Sequence, residues 1–157
     1  MSDTHILERR AAGIEPALRA HPVAVTSRPS YKAYRLLQAG VVATTLLAGA
    51  DKFFHLMTNW DMYLADPVEK MLGSHAHAFM LVAGGIEIAA GLLVAVLPRI
   101  GGFVVSAWLL GITVNLLLPP GYYDLALRDF GLAIAACSLG LLAKEYGRPL
   151  WKPAKAD

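Results

Sequence analysis

The chain contains four long runs of apolar residues, and charged residues, proline or glycine separate each run from the next. The runs cover residues 36–57, 76–97, 100–118 and 122–143. Each approaches or exceeds the roughly 20 residues that an α-helix needs to cross about 30 Å of hydrocarbon. The apolar positions are continuous, whereas the strands of a transmembrane barrel alternate apolar and polar residues. The pattern therefore predicts an all-α fold with four transmembrane helices.

The connections between the runs predict how the helices are arranged. Residues 98–99 and 119–121 contain proline and glycine, which interrupt a helix and turn the chain back on itself. We therefore expect residues 36–143 to form an antiparallel four-helix bundle. Residues 58–74 form a longer connection, in which charged and apolar residues are mixed. This mixture indicates either an amphipathic lid over the bundle or a docking surface for another subunit.

Basic residues favour one side of the predicted membrane domain. Residues 1–35 and 144–157 are basic tails, whereas the connections on the opposite side carry one basic residue, Lys70. Because lysine and arginine concentrate in cytoplasmic segments, both termini are predicted to be cytoplasmic, in a bacterial-type inner membrane. The first tail is interpreted either as a membrane-surface helix or as a disordered segment. Aromatic residues are predicted at the inner interface (Tyr31, Tyr34, Tyr146, Trp151) and at the outer one (Trp60, Tyr63, Tyr122, Tyr123).

Composition supports a membrane protein and limits the kinds of site that the chain can form. Hydrophobic residues make up 56% of the chain and charged residues 17%, with a mean hydropathy of +0.49. The net charge of +2 offers no large basic surface for nucleic acid. Cys137 is the single cysteine, which excludes an intrachain disulfide and a thiolate metal cluster, and we predict no metal site. Any redox chemistry would need a bound cofactor or a partner subunit.

Polar residues gather in the outer half of the predicted bundle. A helix rises about 1.5 Å per residue, which places polar groups from all four runs at similar depths. A charge near the bilayer centre costs a few kcal/mol, so such residues normally face the bundle interior and pair. In the inner half we expect only hydroxyls that bond to their own helices, from Thr44, Thr45, Ser106 and Ser138. The outer polar cluster consists of Asp51, Lys52, His55, Glu87, Asn115, Arg128 and Asp129.

Two interpretations of the outer polar cluster stay open. In the first, an internal ion-pair network fixes how the helices pack. In the second, the cluster lines a pocket for a quinone head group, where Lys52 or Arg128 polarises a carbonyl oxygen and Glu87 or Asp51 exchanges protons. Asp51 and His55 are four residues apart, so both are expected on one helix face.

Three histidines lie near the predicted outer face: His55, His75 and His77. His75 and His77 are two residues apart, so a helix would point them in nearly opposite directions. His55 and one of the other two form an alternative pair of haem ligands. We favour interfacial histidines that contact water and lipid head groups over this alternative.

Several of these residues resemble a known family. Arg35 opens the first run, residues 49–52 (GADK) lie near its end, residues 84–93 read GGIEIAAGLL, and Arg128-Asp129 lie in the fourth run. This combination resembles the DoxX-like family of small four-helix membrane proteins over about residues 34–149. The resemblance implies a quinone- or thiol-linked redox role in a membrane complex. The basic tail and the two histidines at the start of the second run depart from it.

Together these observations predict a membrane-embedded, redox-linked accessory subunit of a larger complex that is not an enzyme by itself. One alternative is a catalytic quinone-binding oxidoreductase subunit, and another is a purely structural assembly subunit. The expected partners are the lipid bilayer and other membrane subunits. No intrinsic cofactor is expected; quinone is the candidate ligand and haem is disfavoured.

Overall fold

The structure is a computed structural model that describes residues 29–151. These residues form helices joined by short connections, and no strand occurs among them, which confirms the predicted all-α class. The first predicted tail lies mostly outside the described residues, so its membrane-surface helix is not addressed. The helices are α1 (Pro29–Phe54), α2 (Asp66–Leu72), α3 (Ala76–Val96), α4 (Pro98–Leu117) and α5 (Tyr123–Tyr146), with 3₁₀ turns at Trp60–Tyr63 and Gly73–His75.

Three helical stretches are long and apolar enough to cross a membrane. They are the 31-residue stretch Asp66–Val96, which ends with α3, together with α4 and α5. Large apolar side chains are exposed on these helices, as expected of a protein that contacts lipid. Examples are Val82 on α3, Val114 on α4, and Leu127 and Ile134 on α5.

Helix α1 begins at Pro29, well before the predicted start at residue 36, and ends at Phe54. Its end is set by Asp51, whose side-chain oxygen Oδ1 accepts hydrogen bonds from the backbone N–H groups of Leu56 and Met57, both at 2.9 Å. The intervening His55 has a φ of 51°, in the left-handed region. The chain therefore leaves the helix three residues before the predicted end at residue 57.

The four long helices pack as two close pairs. Helix α1 lies mainly against α3, and α4 lies mainly against α5, while α3–α4 and α1–α5 contacts complete the bundle. In the first pair, a Cβ atom added to Gly49 would lie 2.8 Å from the carbonyl oxygen of Gly84, and the reverse holds for Gly84. In the second pair, a Cβ atom added to Gly102 would lie 2.7 Å from the backbone nitrogen of Gly140. Small residues thus let the backbones approach, as is common in membrane helices.

The opposite end of the bundle, which holds Pro29 and Tyr146, contains one more kind of polar group than expected. The hydroxyls of Thr44, Thr45 and Ser138 bond to carbonyls of their own helices as predicted. However, this half also contains Gln38, which is 0% exposed and donates to the carbonyl oxygens of Val94 and Arg148. The expectation of hydroxyls alone was wrong because a buried amide can join helices through backbone carbonyls.

The residues after α5 are held against this end. The guanidinium of Arg35 donates to Gln38 Oε1 and to the carbonyl oxygens of Pro149 and Leu150. The Leu150 N–H donates to the carbonyl oxygen of Ala95 at 2.7 Å. Next to this contact, three tyrosine rings pack together with centroids 5.7–6.3 Å apart. These tyrosines, which the sequence placed at the inner interface, are buried in the core: Tyr31, Tyr34 and Tyr146.

Adjacent glycines in α3 offer a matched test of the α1–α3 contact. Gly84→Ala is expected to lower the free energy of unfolding by about 1–3 kcal/mol, because the new Cβ would overlap the α1 backbone. Gly85→Ala adds the same atom where nothing lies within 4 Å, so stability should stay within about 1 kcal/mol of the parent. Unfolding in mixed detergent micelles, followed by circular dichroism, measures both. Equal losses in the two variants would contradict the close contact.

Candidate functional site

A cavity of about 760 Å³ lies inside the bundle at the end where residues 55–75 connect α1 to α3, here called the loop end. Side chains of all four long helices and of the connection line it. Its walls are largely apolar. Thr44 on α1 and Arg128 on α5 line it and are exposed, so the cavity reaches the bundle surface. Five members of the predicted polar cluster line it: Lys52, Glu87, Asn115, Arg128 and Asp129.

A buried ion pair forms one wall of the cavity. Lys52 Nζ lies 2.7 Å from Glu87 Oε2, and the two side chains are 5% and 6% exposed. The other Glu87 oxygen accepts a hydrogen bond from Trp108 Nε1 at 3.2 Å. Lys52 Nζ also lies 3.9 Å from the ring centroid of Trp60, a cation–π contact. Both charges are therefore compensated by more than one neighbour, as burial in an apolar bundle requires.

The close α1–α3 packing explains why this pair is short. Lys52 lies one helical turn after Gly49, and its Cβ is one of the atoms nearest to Gly84. Glu87 lies one turn after Gly84 on the same side of α3 and is among the atoms nearest to Gly49. The glycine contact thus brings the lysine and the carboxylate together.

Asp51 belongs to the cluster but does not line the cavity. Its Oδ1 ends α1, and its Oδ2 accepts a hydrogen bond from Trp60 Nε1 at 2.7 Å. This bond fixes the indole that lies over Lys52. The expected shared helix face of Asp51 and His55 was wrong, because α1 ends at Phe54 and His55 lies in the turn that follows.

Asn115 ties the connection to the bundle. Its Oδ1 accepts from the backbone N–H of Ala65 at 3.1 Å, and its Nδ2 donates to the carbonyl oxygen of Tyr63 at 2.7 Å. Trp60, Tyr63 and Leu64 of this connection line the cavity. The connection therefore covers the cavity at the loop end, as the lid interpretation predicts.

Arg128 and Asp129 occupy the α5 side of the cavity. Arg128 Nε donates to Asp129 Oδ1 at 3.3 Å. The two side chains differ in environment, since that of Arg128 is 58% exposed and that of Asp129 is 11% exposed. A long bond between sequence neighbours with one exposed partner is weak. This pair is therefore better able than Lys52–Glu87 to change partners when a molecule enters.

Two of the three predicted histidines lie side by side, and the third is separate. His77 Nδ1 lies 2.8 Å from Asp61 Oδ2, and the rings of His55 and His77 stack with centroids 5.7 Å apart. His75 is exposed at the end of the 3₁₀ turn Gly73–His75. Stacked rings extend their nitrogens side by side, whereas axial ligands of one haem iron must face each other. The arrangement of His55 and His77 is therefore unlike a bis-histidine haem site.

Two site residues were missed from the sequence. Trp60 was expected only at the membrane interface, and Trp108 was not singled out. Both indole N–H groups bond to buried carboxylates. Trp108 is seven residues before Asn115, which places the two on one face of α4. That spacing could have identified Trp108 as a site residue. A tryptophan on the same helix face as a member of the polar cluster is expected to find a hydrogen-bond partner there.

Comparisons with models of known protein families, with curated proteins and with solved structures find no match to this chain. The geometry offers three kinds of chemistry in one cavity. Lys52 and Arg128 are hydrogen-bond donors, Glu87 and Asp129 are groups able to exchange protons, and Trp60 and Trp108 are flat apolar surfaces.

Removing one partner of the buried pair tests how much the bundle depends on it. Lys52→Met should lower the free energy of unfolding by about 3–5 kcal/mol, because Glu87 would be left as an uncompensated buried charge. Lys52→Met combined with Glu87→Gln should recover most of this loss, and Lys70→Met, at an exposed position of the connection, should cost less than about 1 kcal/mol. Micellar unfolding measures all three. A double variant as unstable as Lys52→Met would refute the charge-compensation argument.

Proposed function

We propose that this chain is a four-span integral membrane protein that holds a quinone-type molecule in the loop-end cavity and serves as a redox-linked accessory subunit. The observation that carries the proposal is the apolar cavity with the Lys52–Glu87 pair in its wall. Its volume of about 760 Å³ falls within the range of small-molecule sites, roughly 300–1,000 Å³. Such sites combine apolar walls with a few well-placed polar groups, as this one does.

Helix α1 completes the four spans in this proposal. Its 26 residues extend about 39 Å, enough to cross the hydrocarbon. Gln38, Asp51 and Lys52 lower its hydropathy, but all three are buried inside the bundle. Large side chains exposed on α1 include Leu36 and Leu47, which are suited to lipid. The basic residues near both termini favour a cytoplasmic location for the termini and an outer location for the connection.

Site-directed labelling of intact cells tests this topology. In a Cys137→Ser background, Glu69→Cys in α2 should react with a membrane-impermeant maleimide added outside, since this exposed position lies in the outer connection. Lys32→Cys and Trp151→Cys are also exposed positions and should react only after the cells are opened. Labelling of Lys32→Cys from outside together with Glu69→Cys would show that α1 does not cross. The reversed pattern would refute the orientation.

A quinone fits the chemistry of the cavity. Its ring is flat and carries two carbonyl oxygens, which suit the donors on Lys52 and Arg128. The indoles of Trp60 and Trp108 offer surfaces for the ring. Glu87 lies within the same wall and is a candidate for proton exchange with a reduced quinone. The exposed part of the cavity lets an apolar tail extend into the bilayer.

The accessory role follows from the resemblance to the DoxX-like family and from the single cysteine. In this role, a partner subunit supplies or receives the electrons, and the chain positions the quinone. A catalytic subunit is the alternative, and quinone reduction by the isolated chain with a thiol donor would favour it. A purely structural role is favoured by one observation, since the Lys52–Glu87 pair is already fully compensated and joins α1 to α3.

Filling the cavity tests quinone binding without touching the ion pair. Gly111 lines the cavity, and a Cβ placed on it would meet nothing within 4 Å. We expect Gly111→Leu to weaken binding of decylubiquinone at least about tenfold, because the leucine side chain would occupy ligand space. Gly131→Leu adds the same side chain to an exposed α5 position outside the cavity lining and should bind like the parent. Quenching of tryptophan fluorescence in micelles gives the affinities.

The outcomes separate the competing roles. Saturable binding that is lost in Gly111→Leu and kept in Gly131→Leu supports the cavity as the site. No saturable binding by the parent chain would refute the ligand role and leave the structural one. Equal loss in both variants would place the quinone elsewhere in the micelle.

A further inference from the structure

Three potential metal ligands meet outside the cavity, at the loop end. They come from separate elements: His55 from the turn after α1, Asp61 from the 3₁₀ turn Trp60–Tyr63, and His77 from the first turn of α3. One nitrogen or oxygen from each lies within 4.8 Å of those from the other two. None of the three lines the cavity. Their convergence therefore needs an explanation apart from the quinone proposal.

The local backbone holds these side chains in place. His55 has the unusual φ of 51°, and its ring lies on that of His77, tilted by 23°. Asp61 is fixed by its backbone N–H, which donates to Asn59 Oδ1 at 3.2 Å. The left-handed backbone of His55 belongs to the end of α1, where Leu56 and Met57 bond to Asp51, and it leaves the His55 ring against that of His77.

The carboxylate of Asp61 is incompletely satisfied. Its Oδ2 lies 2.8 Å from His77 Nδ1, but its Oδ1 is buried and has no hydrogen-bond partner within residues 29–151. A buried carboxylate oxygen without a partner is costly. A cation that coordinates this oxygen would remove that cost.

We propose that His55, Asp61 and His77 bind a zinc ion. Two imidazoles and one carboxylate are a common ligand set for this ion, with a fourth position open to water. Zinc ligands lie about 2.0–2.2 Å from the metal, so donor atoms in a tetrahedral site are about 3.3–3.5 Å apart. The present separations are at most 4.8 Å, and the His77 side chain, which is 56% exposed, has room to rotate toward this geometry.

The ion would join the three elements that surround the connection. It would tie the end of α1 and the start of α3 to the turn that carries Trp60, the indole over Lys52. Zinc binding is therefore expected to raise the thermal stability of the protein, because the ion binds only the folded arrangement.

Calorimetric titration with zinc chloride tests the site. The full chain is purified without a polyhistidine tag, stripped with a chelator, and carries His5→Ala and His21→Ala to remove two of the three histidines outside the proposed site. One zinc per chain is expected. His77→Gln and Asp61→Asn should each weaken binding at least about tenfold, while the matched control His75→Ala should stay within about twofold of the parent.

Each result of the titration either supports or overturns zinc binding at this site. One saturable site that depends on His77 and Asp61, with a zinc-dependent rise in Tm, supports the assignment. Absence of saturable binding in the folded parent, verified by circular dichroism, would overturn it. So would an affinity that falls as much in His75→Ala as in His77→Gln, because His75 takes no part in the arrangement. None of these results depends on quinone binding.

Discussion

The contact between Gly49 and Gly84 is the constraint on which the rest of the bundle depends. A single extra carbon on either residue would lie 2.8 Å from a carbonyl oxygen of the other helix. Lys52 of α1 and Glu87 of α3 flank this contact on opposite sides, and the close approach lets their side chains meet at 2.7 Å. Without it, the lysine and the carboxylate would each face an apolar interior alone, which costs several kcal/mol per ion. Backbone proximity and charge compensation are therefore one structural requirement.

The cavity follows from the same arrangement. Because α1 packs mainly on α3 and α4 packs mainly on α5, space remains between these two pairs at the loop end. The connection then covers this space and is held by polar groups at two points. Asp51 binds Trp60, and Asn115 binds the backbone at Tyr63 and Ala65. The two residues were predicted to belong to one polar cluster, and their observed contacts are with the connection.

Hydropathy and turn residues predicted the helices well, because long apolar runs and proline act locally along the chain. Three of these helices are long and apolar enough to cross a membrane. Depth along each helix also grouped Lys52, Glu87, Asn115, Arg128 and Asp129, which share the cavity wall. The errors concern hydrogen bonds between side chains and backbone groups. Gln38 binds carbonyls far along the chain, and His55 leaves the helix because of backbone bonds to Asp51. Sequence spacing carries no information on such partners.

The three carboxylates of the cluster differ in how many hydrogen-bond and ion-pair partners they have. This difference indicates which of them are free to interact with a molecule in the cavity. Asp51 accepts three N–H groups, and Glu87 is held by Lys52 and Trp108. Asp129 has a long bond to the exposed Arg128 next to it. A molecule entering the cavity gains most from groups whose hydrogen-bonding capacity is poorly used, because well-paired groups must first lose their partners. Asp51 and the Lys52–Glu87 pair are therefore well compensated within the bundle, whereas Arg128 and Asp129 keep more unused hydrogen-bonding capacity facing the cavity.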